Sequence, residues 1–159
     1  TVLMTAAHSG DLDGLRLILA SCVGVNVKDR YGATALTYTW GWKFSMKKLH
    51  LLVEQGAEVN LLTCSMNESD QIRNKLGVDT SNLTDWELYF HTEKTPLMLA
   101  AHYGQVDAIQ YLLEQGADPT IRNQSGKTAE DFAIEEKHTE AAALLRKAAT
   151  SAASEFAAE

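Results

Sequence analysis

The chain has 159 residues, 45% of them hydrophobic, with 21 acidic and 14 basic side chains and a net charge of −7. Such a length and apolar fraction suit one domain with its own core and argue against wholesale disorder. The negative balance speaks against sequence-independent binding to nucleic acid or an anionic membrane, and no apolar run approaches the roughly 18 residues of a membrane span.

Self-comparison organises the chain. Thr1-Val2-Leu3-Met4-Thr5-Ala6-Ala7-His8-Ser9-Gly10 lines up with Thr95-Pro96-Leu97-Met98-Leu99-Ala100-Ala101-His102-Tyr103-Gly104. Weaker copies begin at Thr34 and Thr128, so successive starts lie 33, 61 and 33 residues apart. A fixed period of this size marks stacked supersecondary units, none of which can bury its apolar face alone.

The first unit, 1–33, predicts a short helix, a turn at Gly10 and a longer helix carrying Leu15, Ile18 and Leu19. The second begins at Thr34 and is irregular. Its start-to-glycine distance, Thr34 to Gly56, is one residue longer than that from Thr95 to Gly116, and Trp40 stands where Ala7 and Ala101 stand elsewhere. A tryptophan does not fit a close-packed alanine position, so the helix is expected to end early or swing outward. A stretch of about 27 residues, roughly 62–90, then separates the second unit from the third, with a tail of the second unit at 91–94. It carries Trp86, Tyr89 and Phe90, and predicts a short helix over 69–76 and a further turn from Thr84. Three aromatics argue against a purely disordered tether. A lid on its own scaffold, a partner-binding element and flexible padding all remain open readings.

The third unit, 95–127, shows the pattern most fully. Leu97, Ala100 and Ala101 give its first helix a small apolar face, and Val106, Ile109, Leu112 and Leu113 recur at helical spacing. Gly116 is placed for a left-handed helix cap. The fourth unit, 128–149, ends in a helix with a partly polar outer face, suited to capping the stack. Residues 150–159 read as helix extension, frayed tail or an appended scar. The chain starts at Thr1 with no polar cap before its first helix, which is the expectation for a piece of something longer.

These residues resemble the ankyrin repeat. Thr95-Pro96-Leu97, Leu99-Ala100-Ala101, Gly104, Leu112-Leu113 and Gly116-Ala117-Asp118 fall at the family's positions in register, and the likeness covers about 130 residues. The first unit keeps Val25-Asn26, Asp29 and Gly32 from the protruding finger between repeats. The resemblance implies an all-α solenoid of stacked helix-turn-helix units forming a single domain over 1–149. Two departures stand out. Where the family usually has a histidine after Thr-Pro-Leu, this chain has Met4, Thr37, Met98 and Asp131, so that polar lock is expected to be missing. Cys22 replaces the capping glycine of the first unit.

No P-loop, nucleophile elbow, dinucleotide loop or metal-spaced histidine pair occurs, and Cys22 and Cys64 match no metal or redox spacing, although their pairing stays open. His8 and His102 occupy equivalent positions and should point the same way, some two repeats apart. The resemblance therefore implies a non-enzymatic, cofactor-free and metal-free monomer that binds another protein through finger tips and the concave surface of the first helices. Register selects His8, Ser9, Arg30, Tyr31, Ala33, Gly41, Trp42, His102, Tyr103, Gln124, Ser125 and Lys127. Trp86 and Tyr89 come from the insert. Lys43 comes from the 28–48 window, where Lys28, Arg30, Lys43, Lys47 and Lys48 lie among Tyr31, Tyr38, Trp40, Trp42 and Phe44. An exposed patch of that kind would suit a partly acidic partner. The competing reading is a targeting domain of a larger enzyme or bacterial effector. Partner identity and compartment are not legible.

Overall fold

The computed structural model describes residues 1–9, 11–21, 24–29, 32–40, 43–63 and 93–156, with side chains described as far as 152. Seven α-helices are present among them, with no strand: α1 (Val2–Ser9), α2 (Leu12–Ala20), α3 (Met46–Glu54), α4 (Pro96–His102), α5 (Val106–Glu114), α6 (Ala129–Glu135) and α7 (Thr139–Phe156). A 3₁₀ turn over Thr37–Thr39 replaces the first helix of the second unit. Arg30, Tyr31, Gly41, Trp42, Cys22, Cys64, Trp86, Tyr89, Phe90 and the short helices expected within the insert lie outside the described residues.

Each unit folds back on itself, and units then stack like on like. α1 packs on the 3₁₀ turn and α4 on α6, while α2 packs on α3 and α5 on α7. One apolar core runs through all four units, from Leu3, Ala7 and Leu15 through Leu36, Leu49 and Leu52 to Leu97, Ile109, Leu112 and Leu145. The alanines at Ala7, Ala100 and Ala101 are fully enclosed, which is why the first helices can approach so closely. Gly116 ends α5 at φ 83°; Ala117 N–H donates to the Leu112 carbonyl and Gly116 N–H to that of Leu113, closing the last turn.

In units two and four the lock at the start of the unit is present after all, with other atoms. Thr37 Oγ1 accepts from Thr34 N–H at 2.9 Å and donates to the Thr34 carbonyl at 2.8 Å. In the fourth unit an Asp131 carboxylate oxygen accepts from both the N–H and the hydroxyl of Thr128, at 2.8 and 2.9 Å. These contacts hold the Asp131 carboxyl below its usual range, the Thr128 backbone N–H being the main cause. Met98 offers only its sulfur to Thr95 N–H, at 3.5 Å, and Thr95 caps the helix by accepting from Met98 N–H at 3.2 Å. The expectation of a missing lock failed in units two and four because hydroxyl and carboxylate oxygens accept the same backbone donor.

The fingers show that the insert does not interrupt the stack. Asn26 donates to the Gly56 carbonyl and accepts from Glu58 N–H, both at 2.9 Å, tying unit one to unit two. Asn60 makes the same bracket to unit three, donating to the Gly116 carbonyl at 3.0 Å and accepting from Asp118 N–H at 2.8 Å. Units two and three are therefore direct neighbours. Three fingers close by one recipe: the N–H of the first base residue donates across to the carbonyl of the last, and its side-chain oxygen accepts from the last residue's N–H. The pairs are Asp29 with Ala33, Asn123 with Lys127, and Thr63 with Lys94. In the second finger this base pair closes with 30 residues between its members, against three in the other two fingers.

Unit two departs from its siblings as the tryptophan requires. The helical turn stops at Trp40, whose backbone is extended and whose ring is 2% exposed and stacked on Phe44 at 4.7 Å. Trp40 belongs to the core, Phe44 and Tyr38 pack against it half-buried, the Tyr38 hydroxyl donating to Asp29 at 2.8 Å, and Lys48 is 1% exposed. Within the patch expected over 28–48, Trp40 and Lys48 are thus buried and Tyr38 and Phe44 half-buried, whereas Lys28, Lys43 and Lys47 are exposed. The Lys48 ammonium donates to the Ala7 carbonyl at 2.6 Å, in the last turn of α1, where a cation complements the helix dipole. Burial pushes its pKa down, and nearby Lys43 adds to that. The long terminal helix also passes the expected limit near 149 and continues to Phe156.

Candidate protein-binding surface

The surface where first helices meet fingers carries a motif that repeats. His8 stands edge-on to Tyr38 at 6.5 Å, and His102 stands edge-on to Phe132 at 6.5 Å. In each pair the histidine comes from the last turn of a first helix and the aromatic ring from the equivalent position of the next unit. The 33-residue register places them, since Tyr38 and Phe132 both lie four residues after their unit's opening threonine.

The second pair sits in a dense polar cluster. His102 Nδ1 is 3.3 Å from Glu136 Oε1, and its carbonyl meets His138 Nε2 at 3.1 Å. Burial lowers the His102 pKa, with the Lys94 charge acting in the same direction and Glu136 opposing. Lys94 is 5% exposed, its ammonium 5.2 Å from the Phe132 ring centroid. Lys127 approaches that ring to 5.7 Å and donates to Glu135 at 2.6 Å. Burial, partly offset by Glu136, brings the Lys94 pKa down to about 8. Glu93, next to the splice point, accepts from the Gln124 N–H at 2.5 Å, joining the stem of the insert to the tip of the following finger.

Of the residues selected from sequence, His102, Tyr103, Gln124 and Lys127 are brought to this one region. Tyr103 is 36% exposed and edge-on to His102, and Gln124 is exposed at its finger tip. Lys43 lies at the other end of the stack, exposed, its ammonium on the Ser9 carbonyl at 3.1 Å. Arg30, Tyr31, Trp42, Trp86 and Tyr89 lie outside the described residues. Lys94, Phe132, Glu135 and Glu136 were not selected from sequence. Register could have found Lys94, which occupies the finger-base position of Ala33 and Lys127. Among the described residues no group of side chains is arranged to hold a metal ion, and no helix is long and apolar enough to cross a membrane.

Comparison with known proteins agrees with this geometry. The family model for ankyrin repeats (3 copies) matches residues 49–154, two thirds of the chain. A putative ankyrin repeat protein of Escherichia coli K12, YahD, is 27% identical, the match covering 89% of this chain and 92% of that protein. The ARF GTPase-activating protein GIT2 of mouse is 37% identical over 101 residues, 62% of this chain but 12% of that protein. Neurogenic locus notch homolog protein 1 of zebrafish is 28% identical over 92% of the chain, which spans 5% of that protein's length. The chain thus spans about an eighth of GIT2 and nearly all of YahD. Period, stacking, finger closure and the family match together place this chain in the ankyrin-repeat family, whose members are generally protein-interaction modules.

Proposed function

We propose that the chain is a non-catalytic module that binds a partner protein through the surface formed by its fingers and first helices, with the insert at 62–90 contributing specificity. The observation that carries this reading is the convergence of His102, Tyr103, Gln124 and Lys127 beside the insert's stem, where Glu93 ties that stem to the next finger. Such a surface combines aromatic edges, which bring contact area at little entropic cost, with charged groups that fix register. A scaffold, adaptor or enzyme inhibitor would use it in the same way.

A second reading is that the chain recruits targets for a larger enzyme. The GIT2 match favours it, since there a segment like this one occupies 12% of a protein named as a GTPase activator. Replacing 64–93 with the three-residue tip 124–126 tests the role of the insert. The shortened chain should keep its helical content and melting transition but capture its partner more weakly from a lysate of the source organism. Undiminished capture would remove the insert from the interface.

A further inference from the structure

Charges from three parts of the chain meet around the Phe132 ring. The Lys94 and Lys127 ammoniums lie 5.2 and 5.7 Å from its centroid, and Glu135 and Glu136 stand at the end of α6. Lys127 holds Glu135 at 2.6 Å, and Glu136 is the carboxylate that acts most strongly on Lys94. At the start of α6, Asp131 interacts with Lys127 and Arg122. His102 stands edge-on to the same ring at 6.5 Å, with Nδ1 3.3 Å from Glu136 Oε1. One carboxylate thus serves both Lys94 and His102.

The turn after α6 adds His138, whose Nε2 meets the His102 carbonyl at 3.1 Å. A carbonyl only accepts, so His138 donates from Nε2 and keeps that bond in either protonation state. His102 differs. Facing a carboxylate, its Nδ1 carries the hydrogen of the neutral ring, and a further proton enters at Nε2. Burial and the Lys94 charge oppose that proton while Glu136 favours it, leaving the His102 pKa below its ordinary 6.5. Once bound, the proton strengthens the pull of His102 on Glu136, which is exposed and able to turn toward it. Lys94, at 5% exposure, lacks that freedom. A buried ammonium with less carboxylate charge beside it is costly, so Lys94 is driven toward water. Lys94 also closes the second finger, its N–H donating to Thr63 Oγ1 at 3.0 Å and its carbonyl accepting from Thr63 N–H at 3.3 Å.

We propose that this cluster is an acid-sensitive clasp: protonation of His102 draws Glu136 away from Lys94 and loosens the Thr63–Lys94 base of the second finger. The folded chain holds the His102 proton less tightly than the unfolded chain, so this stability is full above pH 6.5 and is lost as pH falls below it. The first finger has no such device, since an alanine, Ala33, closes it with Asp29. The inference goes beyond the proposed function, because the clasp responds to acid whether or not a partner binds nearby.

Hydrogen exchange of the whole chain between about pH 7.5 and about pH 5, corrected for intrinsic exchange rates, tests this. Protection of the Thr63 and Lys94 amides should fall on the order of tenfold, while the Asp29 and Ala33 amides keep theirs. His102→Asn retains a donor toward Glu136 but takes up no proton, and should abolish the fall. Lys94→Met should raise the titration midpoint of His102, followed by nuclear magnetic resonance of its ring protons, because the opposing charge is gone. That second readout does not depend on how well His102→Asn folds. Unchanged protection in the parent overturns the proposal, as does an equal fall in both fingers or a fall that persists in His102→Asn. A His102 midpoint unmoved by Lys94→Met removes the coupling and overturns it too.

Discussion

Lys94 lends itself to a quantitative test because its burial and its backbone role are separable. Its N–H and carbonyl close the base of the second finger with Thr63, and a side-chain change leaves those two bonds in place. The ammonium, however, sits 5% exposed over Phe132 with its pKa near 8 in place of 10.5. That difference corresponds to about 3 kcal/mol between the two protonation states. The folded pKa is lowered, so the unfolded chain holds the proton more tightly. The cost of folding with Lys94 charged is full below pH 8, shrinks as pH rises, and is gone above about 10.5. Lys94→Met keeps the aliphatic length without the charge. At pH 7 it should stabilise the fold by up to about 3 kcal/mol, reduced by about 1 kcal/mol for the lost contact with the Phe132 ring. Urea unfolding of both chains, followed by circular dichroism from pH 7 to 10.5, reads this directly. With a slope of about 2 kcal/mol/M, the midpoints should differ by roughly 1 M at neutral pH, and the parent should gain on the variant by about 1.5 M across the alkaline range. Other titrating groups act on both proteins and cancel in the comparison. A separation that stays constant with pH would refute the assignment of Lys94 as a buried cation.

Other changes probe the stack. Asn60→Ala removes both bonds of the bracket between units two and three at an exposed site and should cost about 1 kcal/mol in chemical denaturation; no loss would mean that the bracket adds nothing to packing. Trp40→Ala should cost about 3–5 kcal/mol, because it opens a cavity beneath Phe44, whereas Trp40→Phe should cost far less, since it also removes a buried indole N–H that has no acceptor. Equal losses from the two variants would place Trp40 outside the core. Gly104→Ala should destabilise by more than 1 kcal/mol, as the residue has φ 63° and its new methyl would lie 2.6 Å from the His138 ring; a neutral melting temperature would contradict that crowding.

Much of the architecture was legible because it repeats. A period of 33 residues, enclosed alanines and the glycine at 116 reflect constraints that recur in each unit, so one unit checks another. Trp40 was legible for the same reason: a large ring in an alanine position has to change the helix, and it did. What the sequence did not disclose depends on geometry across units. Lys48 reads as a surface cation until the Ala7 carbonyl, 41 residues away, is seen within reach. Within the 28–48 window, composition does not say which side chains turn inward, as Trp40 and Lys48 do, and which stay exposed, as Lys28, Lys43 and Lys47 do. Lys94, His102 and Glu136 meet only through the stacking of units two, three and four. Thr37 and Asp131 show a subtler failure, in which a residue identity was mistaken for the hydrogen bond it supplies.

The shared closure of the fingers has a consequence in polymer terms. Asp29 and Ala33 close a segment of five residues, and Thr63 and Lys94 close one of 32 with the same pair of bonds. Loop-closure entropy grows only with the logarithm of length, so the longer finger costs about 1.6 kcal/mol more, even if its added residues contributed nothing but chain entropy. Doubling it again would cost only about 0.6 kcal/mol. The tip of the second finger is thus a port where sequence can be exchanged, lengthened or replaced by a foreign domain at nearly constant cost to the scaffold. The Asn60 bracket holds the stack in register beneath it, whatever the port carries.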